Sequence, residues 1–398
     1  MRPSFDILIV GGGIFGLPAA LELKARGHHV ALLDQGPIPH PLAASTDISK
    51  VVRMEYGRDE SYMQMGEVAR AGWLAWNEQF GRALYHEAGV LMLSRAPLAA
   101  GGYEHESYQM LLRRGHRPER LDSAEIGRRY PAWNNHVYVD GFFHALGGWV
   151  ESGEVITALA REAGRRGIAL LPGRKVTALA EVRGRVEGVR LEDGERVSAG
   201  LIVVAAGTWT QLLVPELAPV MRSIGQPVFH LRAPGRPQRL NFEPPAFPVF
   251  TADVANTGWY GFPIHPKENV LKVSNHGPGQ RLHPERDPRL VTADDEQALR
   301  RFLAETFPSL AAAPLVHTRR CLYCDTADEH FWVDHHPNRL GLVVASGGSG
   351  HAFKFGPILG GLIADVVERR PNRFAARFRW RDFEVQPAGE EAARWHGD

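Results

Sequence analysis

Gly11, Gly13 and Gly16 form G-x-G-x-x-G directly between the apolar run Phe5–Val10 and a helical stretch that reaches about Arg26. The first glycine permits a tight turn, the second lets a pyrophosphate approach the backbone, and the third lets helix pack on strand. Ile14 and Phe15 fall at the helix N-terminus, where free N–H groups meet an anion. Asp34 ends a second strand at residues 29–34, 18 residues beyond Gly16, where a carboxylate can accept ribose hydroxyls. Glycines alone are a weak signal; strand, helix, strand and terminal acid together predict a dinucleotide site. Pro18 departs from the usual helix and removes one backbone donor, in early turns where the loss matters least.

Other residues place charge or sulfur in apolar surroundings. Arg53 closes the segment Ser45-Thr-Asp-Ile-Ser-Lys-Val-Val-Arg, which also holds Lys50. Lys354 lies in Ser349-Gly-His-Ala-Phe-Lys-Phe, close to His351. Lys272 lies in Val270-Leu-Lys-Val-Ser-Asn-His276, and in a regular strand Lys272 and His276 share one face. By residue type alone such cations are surface charges. Cys321 and Cys324 are the only cysteines, so there is no disulfide framework. Extended backbone puts Cys321 and Tyr323 on one face and turns Cys324 away. A thiolate at Cys321, its pKa lowered by Arg319 and Arg320, is a nucleophile. A buried inert thiol and a redox or metal pair are the alternatives, but zinc would need two more ligands at suitable spacing, and no metal site is expected.

The elements that must hold these residues alternate between strand and helix. Residues 62–80 and 154–167 have helical spacing, as do 297–307 and 357–369. Residues 84–148 are irregular and aromatic, with a strand at 89–93. Residues 176–181 and 186–191 alternate, 192–195 form a turn, and 201–206 is a buried strand closing on Gly207. A Pro-rich segment at 215–248 marks a crossing into another domain, with strands at 249–251, 259–262 and 269–274. A last buried strand at 340–345 runs into Gly347-Gly348-Ser349-Gly350. Glycine turns of one type at the start, middle and end imply a domain assembled from separated pieces. That domain is read as 1–88, 150–217 and 325–385. Residues 89–149 and 218–324 form the second domain, and 386–398 a poorly ordered tail.

At 398 residues the chain suits two domains. It is 44% hydrophobic and 23% charged, with 46 Lys and Arg against 45 Asp and Glu, so no global field draws it to nucleic acid or anionic lipid. Apolar runs fall far short of the roughly 18 residues of a membrane span. The N-terminus enters a strand almost at once, with no room for a signal peptide, and the cytoplasm is the expected compartment.

The glycine fingerprint leaves NAD and FAD open. Two segments favour FAD: Val203-Val-Ala-Ala-Gly207 resembles the second strand-to-glycine turn of two-domain flavoproteins, and 347–350 resembles their third contact. From Phe5 to about Glu368 the chain resembles the monomeric sarcosine oxidase family. The likeness is densest at 45–56, 260–280, 321–337 and 347–357. Relatives in that family oxidise N-methyl amino acids, pipecolate and fructosyl amino acids, with FAD bound covalently. The resemblance implies that Cys321 carries the flavin and that Arg53 and Lys354 clasp a substrate carboxylate. It implies that Lys272 sits over the flavin and assists oxygen reduction, and that Tyr260 and Tyr323 wall the pocket. His276 joins this catalytic set. His351 is a flavin contact or a packed histidine. Lys50 stands where sarcosine enzymes carry a second arginine, closer to the fructosyl-amine branch. Ser45, Lys50, Val176, Gly207, Gly348, Gly350, His351 and Lys354 complete the expected flavin-binding set.

The expected architecture is therefore α/β, a discontinuous Rossmann-like FAD-binding domain with a mixed-sheet substrate domain. The expected reaction is oxidation of a secondary-amine amino acid, with hydride to flavin N5, imine hydrolysis, and oxygen reduced to hydrogen peroxide. The rivals are a fructosyl, cyclic imino or D-amino acid substrate, a dehydrogenase with another acceptor, and an FAD-binding protein without catalysis.

Overall fold

The computed structural model describes residues 4–382 and 391–397. The strand Phe5–Val10 (β1) has its last four residues buried and parallel neighbours on both sides. Ile9 lies between Leu32 of the strand Val30–Leu33 (β2) and Val203 of the strand Arg196–Val204. A strand covered on both faces must be apolar throughout, which is why β1 and β2 read as runs rather than as alternation. The helix Gly16–Ala25 (α1) makes the crossover between them. The strand Ala169–Leu171 extends the sheet beyond β2. On the far side, Arg196–Val204 pairs with Arg185–Leu191 along its first half and with Leu342–Ser346 along its second. Three distant stretches of chain thus share one sheet.

The backbone crosses very closely at the start of α1. A Cβ on Gly16 would stand 1.9 Å from the Gly11 carbonyl oxygen, and one on Gly11, at φ +115°, would stand 2.3 Å from that of Ala205. The helix Gly356–Val367 packs on α1 just as tightly, since a Cβ on Gly360 would meet the Pro18 carbonyl at 2.6 Å.

The second sheet is mixed. Its order is Gln280–Arg281, Met221–Arg232, Val270–Asn275, Trp259–Gly261, Val249–Ala252, Val90–Ser94, Asp140–His144 and Glu119–Asp122. Its core gathers Trp133, Phe229, Phe250, Trp259, Phe302 and Phe307. The strand Leu315–Thr326 pairs with Met221–Arg232 along nearly its whole length, from Leu315 opposite Leu231 to Thr326 opposite Met221. This ladder reaches both cores, because Phe229 and Leu231 lie in the second and Met221 and Cys324 in the first.

Three elements differ from the sequence reading. The stretch read as irregular contains the helix Tyr103–Arg113, whose inner face includes Glu104 and Ser107, which dilute the apolar period. The Pro-rich crossing contains the strand Met221–Arg232, with Pro227 opposite Arg320. Of the tail, residues 386–390 and 398 lie outside the described residues. Residues 391–397 are not loose, since Glu391, Ala393 and Arg394 are buried.

Gly16→Ala forces α1 off the sheet and should cost about 1–3 kcal/mol or more, as overpacking does. Denaturant unfolding of the purified variant checks this, and a midpoint equal to wild type would contradict the close crossing.

Candidate functional site

A cavity of about 1190 Å³ opens at the C-terminal ends of β1 and β2. Gly11, Gly13, Ile14, Phe15, Asp34, Ser45, Val176 and Gly207 line one part of it, and Gly348 and Gly350 another. The Ile14 N–H donates to Ser45 Oγ at 3.0 Å, which ties the 45–50 loop to the first turn of the helix. Asp34 accepts from the N–H groups of Gly12 at 2.8 Å and Gly36 at 3.0 Å. Burial pushes its carboxyl upward against the pull of these two donors. A Cβ on Gly13 would come within 3.0 Å of Ser45 Oγ, so the glycine keeps the backbone open to the cavity. Gly16 does not line the cavity; its place is against Gly11. An open backbone, a helix N-terminus and an acid at the end of β2 are the donor and acceptor set of a dinucleotide, and the residues present fit one.

A second pocket, of about 610 Å³, shares Lys50, Tyr323, Gly350 and Phe353 with the first. Tyr260, Phe262 and Tyr323 are aromatic in its wall, and Arg53, His276, His351, Lys354 and Glu391 supply its polar groups. Tyr260 and Tyr323 interact through their hydroxyls, and burial raises both phenols, so both stay protonated donors.

Arg53 is buried, with its guanidinium 4.9 Å from the centre of the Tyr56 ring. Its Nη1 donates to Tyr103 Oη at 2.7 Å and to the Glu55 carbonyl. Its Nη2 lies 3.5 Å from Glu391 Oε1. Lys354 is also buried; burial, and then the Arg53 charge, push its ammonium well below the ordinary range. Lys354 Nζ donates to Tyr56 Oη at 2.8 Å, and Tyr56 Oη lies 3.0 Å from His351 Nδ1. His351 Nε2 is 2.9 Å from the Glu329 carbonyl. Burial drives His351 down to about 3, so the ring is neutral with its proton on Nε2. Two buried cations on one phenol gain from any anion placed between them.

Lys272 is buried behind this wall and lines neither cavity. Its Nζ donates to Asp47 Oδ2 at 2.7 Å and to the Ser49 carbonyl at 2.6 Å, and lies 4.9 Å from the centre of the Phe262 ring. Burial lowers its ammonium from the ordinary 10.5 to about 8, against the pull of Asp47. Asp47 also faces Lys50 at 3.9 Å and His230 at 3.7 Å. His276 follows the end of its strand rather than continuing it, and does reach the pocket.

Cys321 packs with Tyr323 and Val228, 1% exposed and behind the wall of both cavities. Cys324 turns into the core of the first sheet and lines the larger cavity. Arg320 is held by the carbonyls of Leu290 and Gly225 and by Asp295. Arg319 binds the carbonyls of Ala43 and Thr46. Arg289 and Lys272 are cations within electrostatic reach of Cys321.

The residue set read from sequence omitted Asp47 and Glu391. Asp47 sits inside the segment that holds Lys50 and Arg53, so the signal was a third charge in an otherwise small and apolar loop. Glu391 belongs to a polar chain end that shows no periodicity.

A glycine-turned parallel sheet joined to a mixed sheet, with a dinucleotide cavity opening onto an aromatic pocket, defines an oxidoreductase of the flavin-binding type. The chain belongs to the family described as DAO, FAD dependent oxidoreductase, which matches residues 6–366. It is an FAD-dependent oxidoreductase with a Rossmann-like FAD-binding domain. An N-methyl-L-tryptophan oxidase of Salmonella arizonae is 31% identical over 381 residues, covering 94% of this chain and 98% of the relative. The solved fructosamine oxidase (Amadoriase II) of Aspergillus fumigatus is 25% identical, with TM-score 0.79 over 96% of this chain and 90% of that one. A fructosyl peptide oxidase from E. terrenum, at 22% identity, shares the fold with TM-score 0.83 over 98% and 94% of the two chains. Among the described residues no helix is long and apolar enough to cross a membrane, and no group of three or more His, Cys, Asp and Glu is arranged to hold a metal ion.

Folded Lys272 holds its proton less tightly than the unfolded chain does. Between about 8 and 10.5 the unfolded state therefore binds more protons, and this group makes stability rise with pH. Subtracting the unfolding free energies of Lys272→Met from those of wild type across that window should isolate the rise. A flat difference would mean that the ammonium is not desolvated.

Proposed function

We propose that this enzyme oxidises an amino acid whose amine nitrogen carries a substituent, using oxygen as acceptor and releasing hydrogen peroxide. The observation that carries the reading is the meeting of the two cavities at Lys50, Tyr323, Gly350 and Phe353, with Arg53 and Lys354 beyond it. When bound, FAD would supply the acceptor for a hydride from the carbon beside the amine and the route by which the electrons reach oxygen, the substrate becoming an imine that water hydrolyses. The residues of the chain do the rest. Gly11, Gly13, Ile14 and Phe15 hold the pyrophosphate, and Asp34 the ribose. Ser45, Val176, Gly207, Gly348 and Gly350 line the remainder of the groove, and Lys50 and His351 stand near its reactive end. Gly16 supports them by letting α1 close on the sheet.

Arg53 offers a fork and Lys354 a point charge to the substrate carboxylate, so the amine-bearing carbon is fixed against the shared wall. Tyr260, Phe262 and Tyr323 exclude water, and the two phenols and His276 supply hydrogen bonds. Lys272, held by Asp47 behind Phe262, contributes a fixed positive charge where reducing oxygen creates a negative one. The proteins it resembles include both an N-methyl-L-tryptophan oxidase and a fructosamine oxidase. The common chemistry is an N-substituted amino acid. Anaerobic bleaching of the flavin against N-alkyl, cyclic and glycated amino acids tests the reading and ranks the substituents. Bleaching by none of them would overturn it, and fast dye reduction with slow peroxide release would make the enzyme a dehydrogenase.

The same reading has FAD attached through Cys321, supported by its packing against Tyr323, which lines both cavities. After acid precipitation, flavin colour should stay with the wild-type pellet and leave with the supernatant of Cys321→Ala; colour retained by the variant would move the linkage elsewhere. Arg53→Met should weaken binding of the amino acid and of small inhibitory carboxylates by on the order of 2–5 kcal/mol, as for truncating one partner of a buried charge pair. Amines without a carboxylate that react as well as amino acids would show the clamp to be misassigned.

A further inference from the structure

The chain end returns to the second pocket. Glu391, 4% exposed, lines it and places Oε2 2.7 Å from His276 Nε2 and Oε1 3.5 Å from Arg53 Nη2. The segment is pinned at this contact and just after it. The Glu391 N–H donates to Glu329 at 2.9 Å, and Arg394 pairs with Asp325 at 2.8 Å and Glu329 at 3.1 Å. The Trp395 N–H donates to the His276 carbonyl at 3.1 Å. Glu391 is thus a fixed anion in a pocket whose other charged or titratable side chains are Lys50, Arg53, Tyr260, His276, Tyr323, His351 and Lys354.

We propose that Glu391 is a specificity-determining residue: its carboxylate makes the pocket select acids that carry an adjacent cationic nitrogen over acids that do not. The inference rests on the reading of Arg53 and Lys354 as a carboxylate clamp. The contact with His276 is short and that with Arg53 is long, so Glu391 keeps its own anchor when a ligand carboxylate takes the guanidinium. A ligand that is only an acid then sets a second negative charge beside Glu391, with only the shared Arg53 guanidinium to offset it. An amino acid sets its own ammonium there, and charge alternates from Arg53 through the ligand carboxylate and ammonium to Glu391. No purely aliphatic wall at this position would distinguish the two ligands.

Glycine betaine and 3,3-dimethylbutyrate test this, because they differ only in a quaternary nitrogen against a quaternary carbon. Betaine has no nitrogen lone pair, so it binds without being oxidised. Both are titrated into the flavin-loaded enzyme and followed by the shift in flavin absorbance. Wild type should prefer betaine by about tenfold or more, like-charge contact being costly. Glu391→Gln should remove most of that preference, chiefly by binding dimethylbutyrate more tightly, and Glu391→Asp should keep it. Absence of a betaine preference in wild type overturns the proposal whether or not any variant folds, and so does an unchanged ratio in Glu391→Gln. Arg53→Met separates the two readings. Loss of both ligands there leaves the clamp standing whatever Glu391 does, and undiminished binding of both overturns the clamp and this inference with it.

Discussion

The structure depends on how closely three stretches of backbone approach where β1 ends. Gly16 sits on the Gly11 carbonyl, and Gly11 sits on that of Ala205, with no space at either point for a methyl group. That contact brings the N-terminus of α1 to the end of the sheet, where Ile14 and Phe15 line the large cavity. It also fixes where Asp34 stands, because β2 is hydrogen-bonded to β1 in register. The cost of glycine in a folded chain, lost backbone freedom, is accepted where a side chain would separate helix from sheet. The tight seat of Gly360 on Pro18 repeats the device one layer out and holds the helix that begins just after Lys354.

Beyond the glycines, the site is organised by charges that cannot be buried alone. Arg53 and Glu391, Glu55 and His144, and Lys272 and Asp47 all sit in pairs, with donors such as Tyr103 completing their bonds. An unpaired ion in this interior would be costly enough to neutralise itself. Lys354 is the member whose partner is weakest, a neutral phenol, and burial pushes its ammonium well below the ordinary range. Polar groups left one bond short at the wall of a pocket are those a ligand can complete.

The cofactor half of this arrangement was legible in the sequence because its rules are local. Strand, turn, helix and acid occupy residues 5–34, and each signal lies within a few residues of the next. The buried strands Arg196–Val204 and Leu342–Ser346 were visible for the same reason, although the first begins five residues before its apolar run, in an alternating stretch. The substrate half was less legible. Lys272 shares a strand with the residues leading to His276, yet Asp47, from a loop 225 positions away, draws its ammonium behind the wall. Glu391 comes 338 positions after Arg53, and nothing local to either announces the pair. The strand through Pro227 was hidden because proline argues against a central strand when its neighbours are unknown.

The paired strands Met221–Arg232 and Leu315–Thr326 bear on how the molecule moves. One end of the ladder is embedded in the core of the second sheet and the other in the core of the first. The first-sheet end is fastened again where the Ser349 N–H donates to the Cys324 carbonyl at 3.0 Å and the Thr326 N–H to Ser349 Oγ at 3.2 Å. Hinge closure needs a few residues free to absorb a rotation, and a double strand hydrogen-bonded along its length offers none between the two cores. The halves are therefore spliced rather than hinged. Tyr323, carried on the splice itself, faces both cavities from this shared ladder.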